Sequence, residues 1–346
     1  MKKIKIVVFT GLALMLAVGT ILSGCGGGIP TPTKENPLIL RWVAAGAAGR
    51  GPVWALMEEG KEAIETATGG TVVIELYGEG QLCEAGEIAE AIRTGVADIG
   101  WIHPSYTPGL LPKTELIMIP LIWPKGDSLV QFNTEVIAEY LEEEWADAGL
   151  MMMFPPQGEI YRQLFSKNPL RSVDDFQGVK VSATSEFECK ILDLIGFSAI
   201  QTPGAESYVS LEKGVTEAAL MFPWAAEMSQ YQEVCDYVTM IDFYSNESFI
   251  GWAMNPERYE ELPSDIRQIV SDELERISIK YYESQGEWDE AAMANFTAGG
   301  MEVITLTEEE YALMRQLAEP LIDEWAAEAG TEEAREFADY CLNLRD

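Results

Sequence analysis

Leu38-Ile39-Leu40-Arg41-Trp42-Val43 reads as a strand, and Thr71-Val72-Val73-Ile74-Glu75-Leu76-Tyr77, rich in β-branched residues, reads as a second. Between them a small-residue turn covers Ala44 to Gly51. A helical spacing then runs from Val53 to Thr66, with Val53, Leu56, Met57 and Ile64 on one face. Gly86 to Gly95 carries Ile88 and Ile92 four residues apart and stops at a glycine, which marks a short helix. Ala97-Asp98-Ile99-Gly100-Trp101-Ile102 is the third strand. The order β-α-β-α-β makes this part an α/β lobe with a mainly parallel sheet.

Downstream of Gln157 a second run of the same kind begins. Tyr161 to Ser166 and Val179 to Ser182 read as strands, with a helix start at Ser172-Val173-Asp174-Asp175 between them. Glu186 to Gly196 is helical, Ser198 to Gln201 a strand closed by Pro203, Tyr208 to Gly214 a helix, and Glu217 to Phe222 a strand. Phe249 to Asn255 is a further apolar strand. From Ser264 to about Ala298, Ile266, Ile269, Val270, Leu274, Ile277, Tyr281 and Trp288 recur at steps of three, four and seven. One helix of that length spans about 50 Å, more than one lobe; a break at Gly286 would instead give two helices. Thr307-Glu308-Glu309-Glu310 fits a capping box for a final helical segment.

The ends define compartment. Met1-Lys2-Lys3-Ile4-Lys5 is a basic start, Ile6 to Leu22 is uncharged and mostly apolar, and small residues close the run, which is the pattern of a secretory signal. Leu22-Ser23-Gly24-Cys25 resembles a bacterial lipobox, which implies cleavage before Cys25 and lipidation of it. The expected division is therefore a lipoprotein signal at 1–24 and a flexible tether at 25–36, rich in Gly, Pro and Thr. The remainder is long enough for two lobes with full cores. The formal charge of −34 repels nucleic acid and anionic headgroups. An anion site here must be a local positive island, because charges are screened beyond about 8–10 Å. Cys83, Cys189, Cys235 and Cys341 match no metal spacing, and a disulfide among them stays open beside free thiols.

Six further pieces stand in order: Gly95-Val96-Ala97-Asp98-Ile99-Gly100, Tyr106-Thr107-Pro108-Gly109 with Ile119-Pro120-Leu121, Asp174-Asp175-Phe176-Gln177-Gly178-Val179-Lys180-Val181, Tyr208 to Glu217, Met254-Asn255, and Leu262-Pro263. In this order and spacing the chain, from about Leu38 to about Glu302, resembles the DctP-type solute receptors of tripartite ATP-independent periplasmic (TRAP) transporters. The resemblance implies a two-lobed periplasmic-binding-protein-like α/β fold with a hinge and a long helix crossing both lobes. With it the lobes are expected at 37–157 with 246–284, and at 158–245 with 285–346. It also implies an extracytoplasmic, membrane-anchored receptor that hands a small organic acid to the membrane components of the transporter, with no cofactor and no chemistry on the ligand.

Arg162 stands where the resemblance places a basic residue facing the ligand, and a guanidinium can hold a carboxylate by charge-assisted bonds. As a cleft residue it is expected to matter for affinity and little for folding. The usual second arginine, directly after the Gly-x-Lys-x strand, is replaced by Ser182, which offers one neutral hydrogen bond. Lys180 shares the strand face of Ser182 by alternation. His103, the single histidine, ends the third strand where a polar side chain faces the ligand in the family. Met221, Phe222 and Trp224, at the end of another strand, form an expected apolar wall, joined by Trp101, Tyr77, Tyr106 and Phe249. One arginine and several rings point to a monocarboxylate with an apolar or aromatic body.

An extracytoplasmic hydrolase is the rival from another class. It would need His103 as its base, and no Gly-x-Ser-x-Gly elbow is present. A receptor serving another carrier or a sensor would share the same cleft.

Overall fold

The computed structural model describes residues 31–45, 48–49, 51–78, 80–107, 109–124, 127–154, 160–245 and 249–345. The signal and lipobox segment and the first part of the tether lie outside the described residues. The first lobe is built on β1 (Leu38–Val43), β2 (Val72–Tyr77), β3 (Ile99–Ile102) and β4 (Met151–Met152), with helices α1 (Gly51–Ala67), α2 (Ile88–Arg93), α3 (Pro112–Ile117), α4 (Asp127–Val136) and α5 (Glu142–Asp147). The second is built on β5 (Ile160–Ser166), β6 (Lys180–Ala183), β7 (Ser198–Gln201), β8 (Ala218–Met221) and β9 (Tyr237–Ser245). Its helices are α6 (Glu186–Leu194), α7 (Gly204–Glu212) and α8 (Pro223–Met228). The chain then returns through β10 (Gly251–Met254), α9 (Pro256–Glu261) and α10 (Ser264–Ala298), and ends with β11 (Glu302–Thr305), α11 (Glu308–Ala318), α12 (Pro320–Ala329) and α13 (Glu332–Arg345).

Two separate sheets result, in the orders β2-β1-β3-β10-β4 and β11-β9-β5-β8-β6-β7. The β-α-β-α-β start yields the parallel pairs β1 with β2 and β1 with β3. The mainly parallel sheet expected from sequence is found: β1, β2, β3 and β4 run one way, and β10, antiparallel to both β3 and β4, is the one strand of this sheet that runs against them. The reason is topological. β10 is the next strand after β9, which belongs to the other sheet, so it is not joined to β3 or β4 by the helical crossovers that make their neighbours parallel. The second sheet has the mirror arrangement, with β5 antiparallel to β8 and β9. Close packing sets the strand–helix spacing: a Cβ on Gly100 of β3 would stand 2.6 Å from Ile88 and 2.7 Å from Ile92 of α2. Only a glycine lets that helix lie so near its strand.

The repeat of apolar residues from Ser264 onward is realised as one helix of 35 residues, unbroken at Gly286. Its first half lies on α1 and its second on α8. Ile277 reaches Gly60 of α1, while Ala292 and Phe296 sit in the second core with Phe165, Leu211, Met221 and Tyr231. Tyr282 donates to the Ile250 carbonyl at 2.9 Å, and Asp289 accepts from the Trp224 amide at 3.0 Å. These anchors tie α10 to both lobes.

Thr307 caps α11 through the expected capping box, and Glu310 also accepts from the Val173 amide. Beyond it, α13 packs on α3 and α4, with Lys113 Nζ 2.6 Å from Glu333. Lys190 of α6 lies 3.2 Å from Glu324 of α12. The C-terminal helices thus touch both lobes, so the segment 285–346 does not stay with the second lobe throughout. Cys83, Cys189, Cys235 and Cys341 are free thiols. Among the described residues no helix is long and apolar enough to cross a membrane, and no cluster of His, Cys, Asp or Glu is placed to hold a metal ion.

Candidate ligand-binding cleft

In open α/β sheets, ligands sit beyond the carboxyl ends of the parallel strands. In the first lobe those ends carry Tyr77 and His103, beside the start of antiparallel β10 with Phe249 just before it. In the second lobe they carry Ala183, Gln201 and Met221, beside the start of antiparallel β5 with Arg162. The two edges meet along the middle of α10, and a series of rings joins them. Trp42 packs edge-on to Trp252 at 4.9 Å, Trp252 to Trp101 at 4.6 Å, and Trp101 to Tyr281 at 5.0 Å. Tyr281 then meets Trp288 at 6.4 Å, Trp288 meets Trp224 at 6.1 Å, and Trp224 stacks on Phe222 at 6.3 Å. Phe222 lies under the Arg162 guanidinium, 4.1 Å from ring centre to Cζ, a cation–π distance.

Of the residues expected from sequence, this series brings Trp101, Phe222, Trp224 and Arg162 together. Tyr281 and Trp288 complete it. Their spacing marks them as an apolar helix stripe, and the same spacing places two rings seven residues apart on the face that spans the lobes.

Arg162 is only 6% exposed, and its Nε lies 3.1 Å from Oε1 of Glu188. Glu188 is itself buried, and its Oε2 accepts from the Thr184 amide (2.8 Å), the Thr184 hydroxyl (2.9 Å) and the Ser185 amide (2.9 Å). The sequence reason is a capping box, Ser185-Glu186-Phe187-Glu188, which starts α6 and turns the Glu188 carboxylate back toward β6. Burial alone would push that carboxyl up, but the Arg162 charge and the three hydrogen bonds outweigh it and hold it below the usual carboxylate range. One correction follows. Arg162 is not an isolated guanidinium but half of a buried ion pair, so its removal is expected to cost folding stability. Glu188 carried no expectation from sequence; the Ser-x-x-Glu spacing from Ser185 is the signal that marks its capping role, and nothing local marks it as the partner of Arg162.

The remaining candidates divide. Ser182 is fully buried at the end of β6, and its Oγ has no hydrogen-bond partner among the described residues. Met221 is buried in the second core and Phe249 in the first, both as packing residues. Tyr77 donates to Glu75 at 2.8 Å and lines an open groove of about 850 Å³ between α1 and the outer strand β2. His103 stacks on Tyr106 with ring centres 4.4 Å apart, and Tyr106 is 47% exposed.

The turn that carries His103 and Tyr106 is fastened by Glu115, which accepts from the Gly109 amide at 2.7 Å. Burial pushes the Glu115 carboxyl up to about 7, with the Gly109 hydrogen bond opposing and Glu144 reinforcing the rise. The folded state therefore holds this proton more tightly than the unfolded chain. Stability from it is full below the ordinary carboxylate range and is lost as pH rises through about 7. Glu115→Gln keeps an oxygen for Gly109 and loses the charge. Its melting temperature should exceed that of the unmodified protein at pH 8 and match it at pH 5. The opposite ranking in thermal melts would contradict the assignment.

A family model for bacterial extracellular solute-binding proteins, family 7 (DctP), matches residues 49–329. The chain belongs to that family. It is similar to the C4-dicarboxylate-binding periplasmic protein DctP of Rhodobacter capsulatus, 25% identical over 318 residues, covering 88% of this chain and 91% of the relative. Among solved structures, it is similar to a TRAP periplasmic solute-binding protein of Chromohalobacter salexigens with bound D-glucuronate (TM-score 0.73, 18% identity, covering 88% of this chain and 99% of that one). It is also similar to a marine metagenome TRAP solute-binding protein specific for aromatic acid ligands, in complex with metahydroxyphenylacetate (TM-score 0.70, 17% identity, covering 89% and 98%). DctP membership makes this a solute-binding protein of the TRAP type with two lobes, and its sheets and crossing helix follow that plan.

Proposed function

We propose that this DctP-family protein captures a small organic acid with one carboxylate and an apolar or aromatic body, and delivers it to the membrane components of a TRAP transporter. The observation that carries the reading is Arg162 stacked on Phe222 at the end of the ring series that runs along α10. A guanidinium is a planar donor suited to one carboxylate, and indole and phenyl rings offer the apolar contact for the rest of the ligand. A second acid group would find Ser182 where the resemblance expects an arginine, and Glu188 already offsets one positive charge. Ligand touching both edges stabilises the closed form, because those contacts exist only when the lobes meet, and α10, which packs on both lobes, couples them. His103 and Tyr106 supply a polar edge to the entrance.

Calorimetric titration with 3-hydroxyphenylacetate and with succinate tests the ligand class. The aromatic monoacid should bind at least about tenfold more tightly, a difference of about 1.4 kcal/mol. Equal binding removes the class. The lipobox pattern at Leu22–Cys25 supports a lipid anchor on Cys25. Mass spectrometry of protein extracted from its own membrane reads both points, a co-purified acid and the acyl chains. An intact mass without acyl chains would remove the anchor.

A further inference from the structure

We infer that Gln285, at the middle of α10, is a ligand contact that selects acids whose body carries a group able both to donate and to accept a hydrogen bond. Three observations meet there. Gln285 is 3% exposed, and both its Oε1 and its Nε2 are without a hydrogen-bond partner among the described residues. It lies four residues after Tyr281 and three before Trp288, on one helical face with both. Those flanking rings touch Trp101 of the first lobe and Trp224 of the second, so the face carrying Gln285 is the one that spans the junction. The indole Nε1 of Trp224, next in the series, is buried and likewise without a partner among the described residues.

Buried polar groups in folded proteins are nearly always paired, and exceptions ask for a cause. The stripe itself sharpens the point. Ile266, Val270, Leu274, Ile277 and Ser278 are its buried members nearer the first lobe, Ala292 and Phe296 those nearer the second, and the one other polar member, Ser278, is satisfied by donating to the Leu274 carbonyl. An apolar residue at 285 would continue that pattern without an unpaired amide. A carboxamide fits a partner that brings one donor and one acceptor together, which a hydroxyl does and a hydrocarbon body does not. The Trp224 indole N–H adds a second donor on the same side. The ligand class is thereby narrowed from an acid with an apolar body to one with a hydroxyl or a secondary amide on that body. This rests on the proposed cleft.

The test is calorimetry of the full chain with 3-hydroxyphenylacetate and phenylacetate, two acids that differ by one hydroxyl. The unmodified protein should favour the hydroxylated acid by about tenfold, the value of one well-made hydrogen bond to a buried group. Gln285→Leu, and Gln285→Met as the more pliable variant, should bring the two affinities within about twofold of each other. Both should melt no lower than the unmodified protein without ligand, since an unpaired amide has been removed. An unchanged preference for the hydroxyl in both variants overturns the inference and leaves the cleft standing, with Gln285 a water-bound structural amide only. Failure of both acids to bind the unmodified protein overturns the proposed ligand class, and the inference with it.

Discussion

Arg162→Met lowers the stability of the ligand-free protein by about 3–5 kcal/mol, and adding Glu188→Gln restores a large part of that loss. The asymmetry comes from burial. Arg162 and Glu188 are 8% and 4% exposed along their side chains. Removing the cation leaves a carboxylate in a dry interior with its Oε1 facing a thioether, and that is among the most damaging changes a core can undergo. Glutamine at 188 still accepts from Thr184 and Ser185, so the cap of α6 survives while the stranded charge is gone. Urea denaturation of the four proteins in the cycle measures the coupling directly. The same pair sets an acid limit. The Glu188 carboxyl lies below its ordinary value in the folded state, so its stabilisation is present above the unfolded carboxylate range and is lost as pH falls through that lowered value. A single variant within 1 kcal/mol of the unmodified protein at neutral pH, or additive losses in the double variant, would show that the pair is not coupled.

Much of the frame was legible in sequence because it rests on period. Strands β1, β2 and β7 and helix α10 fall within a residue or two of the expected bounds, since apolar periodicity reports a buried face directly. Direction is another matter. The apolar run at Gly251–Met254 reads the same whichever way it enters a sheet, so its antiparallel place between β3 and β4 comes only from the chain arriving out of the other lobe. The sequence carried no expectation for Tyr237–Ser245, which pairs with both β5 and β11.

The site was legible by residue type more than by role. Arg162 and the wall residues Trp101, Phe222 and Trp224 do come together. Phe249 and Met221 pack in cores, and an apolar residue at a strand end gives no sign in sequence of which side it faces. Glu188 was hidden by serving two ends at once: its capping role is local, three residues from Ser185, while its partner Arg162 is set by the fold. Gln285 was hidden by the opposite fault, a polar residue in an apolar stripe that the count of apolar matches steps over.

Gly286→Pro should lower stability by about 3 kcal/mol or more and weaken ligand binding, whereas Gly286→Ala should raise stability by about 0.5–1 kcal/mol and leave binding in place. Position 286 lies in the interior of α10, between Tyr282, which holds the Ile250 carbonyl, and Asp289, which holds the Trp224 amide. Proline there removes the amide that bonds to the carbonyl of residue 282 and drives its ring against that carbonyl, which bends the helix between its two anchors. Alanine does neither. A Cβ on Gly286 meets nothing within 4 Å, so it only narrows the unfolded ensemble and favours the helix. Circular dichroism during urea unfolding gives the stabilities, and calorimetry with 3-hydroxyphenylacetate gives the binding. The contrast separates a continuous strut from two helices that merely abut. With a strut, proline harms both fold and binding while alanine helps the fold. With a tolerant joint at 286, proline would change stability by less than about 1 kcal/mol, and the two lobes would not be coupled through this helix.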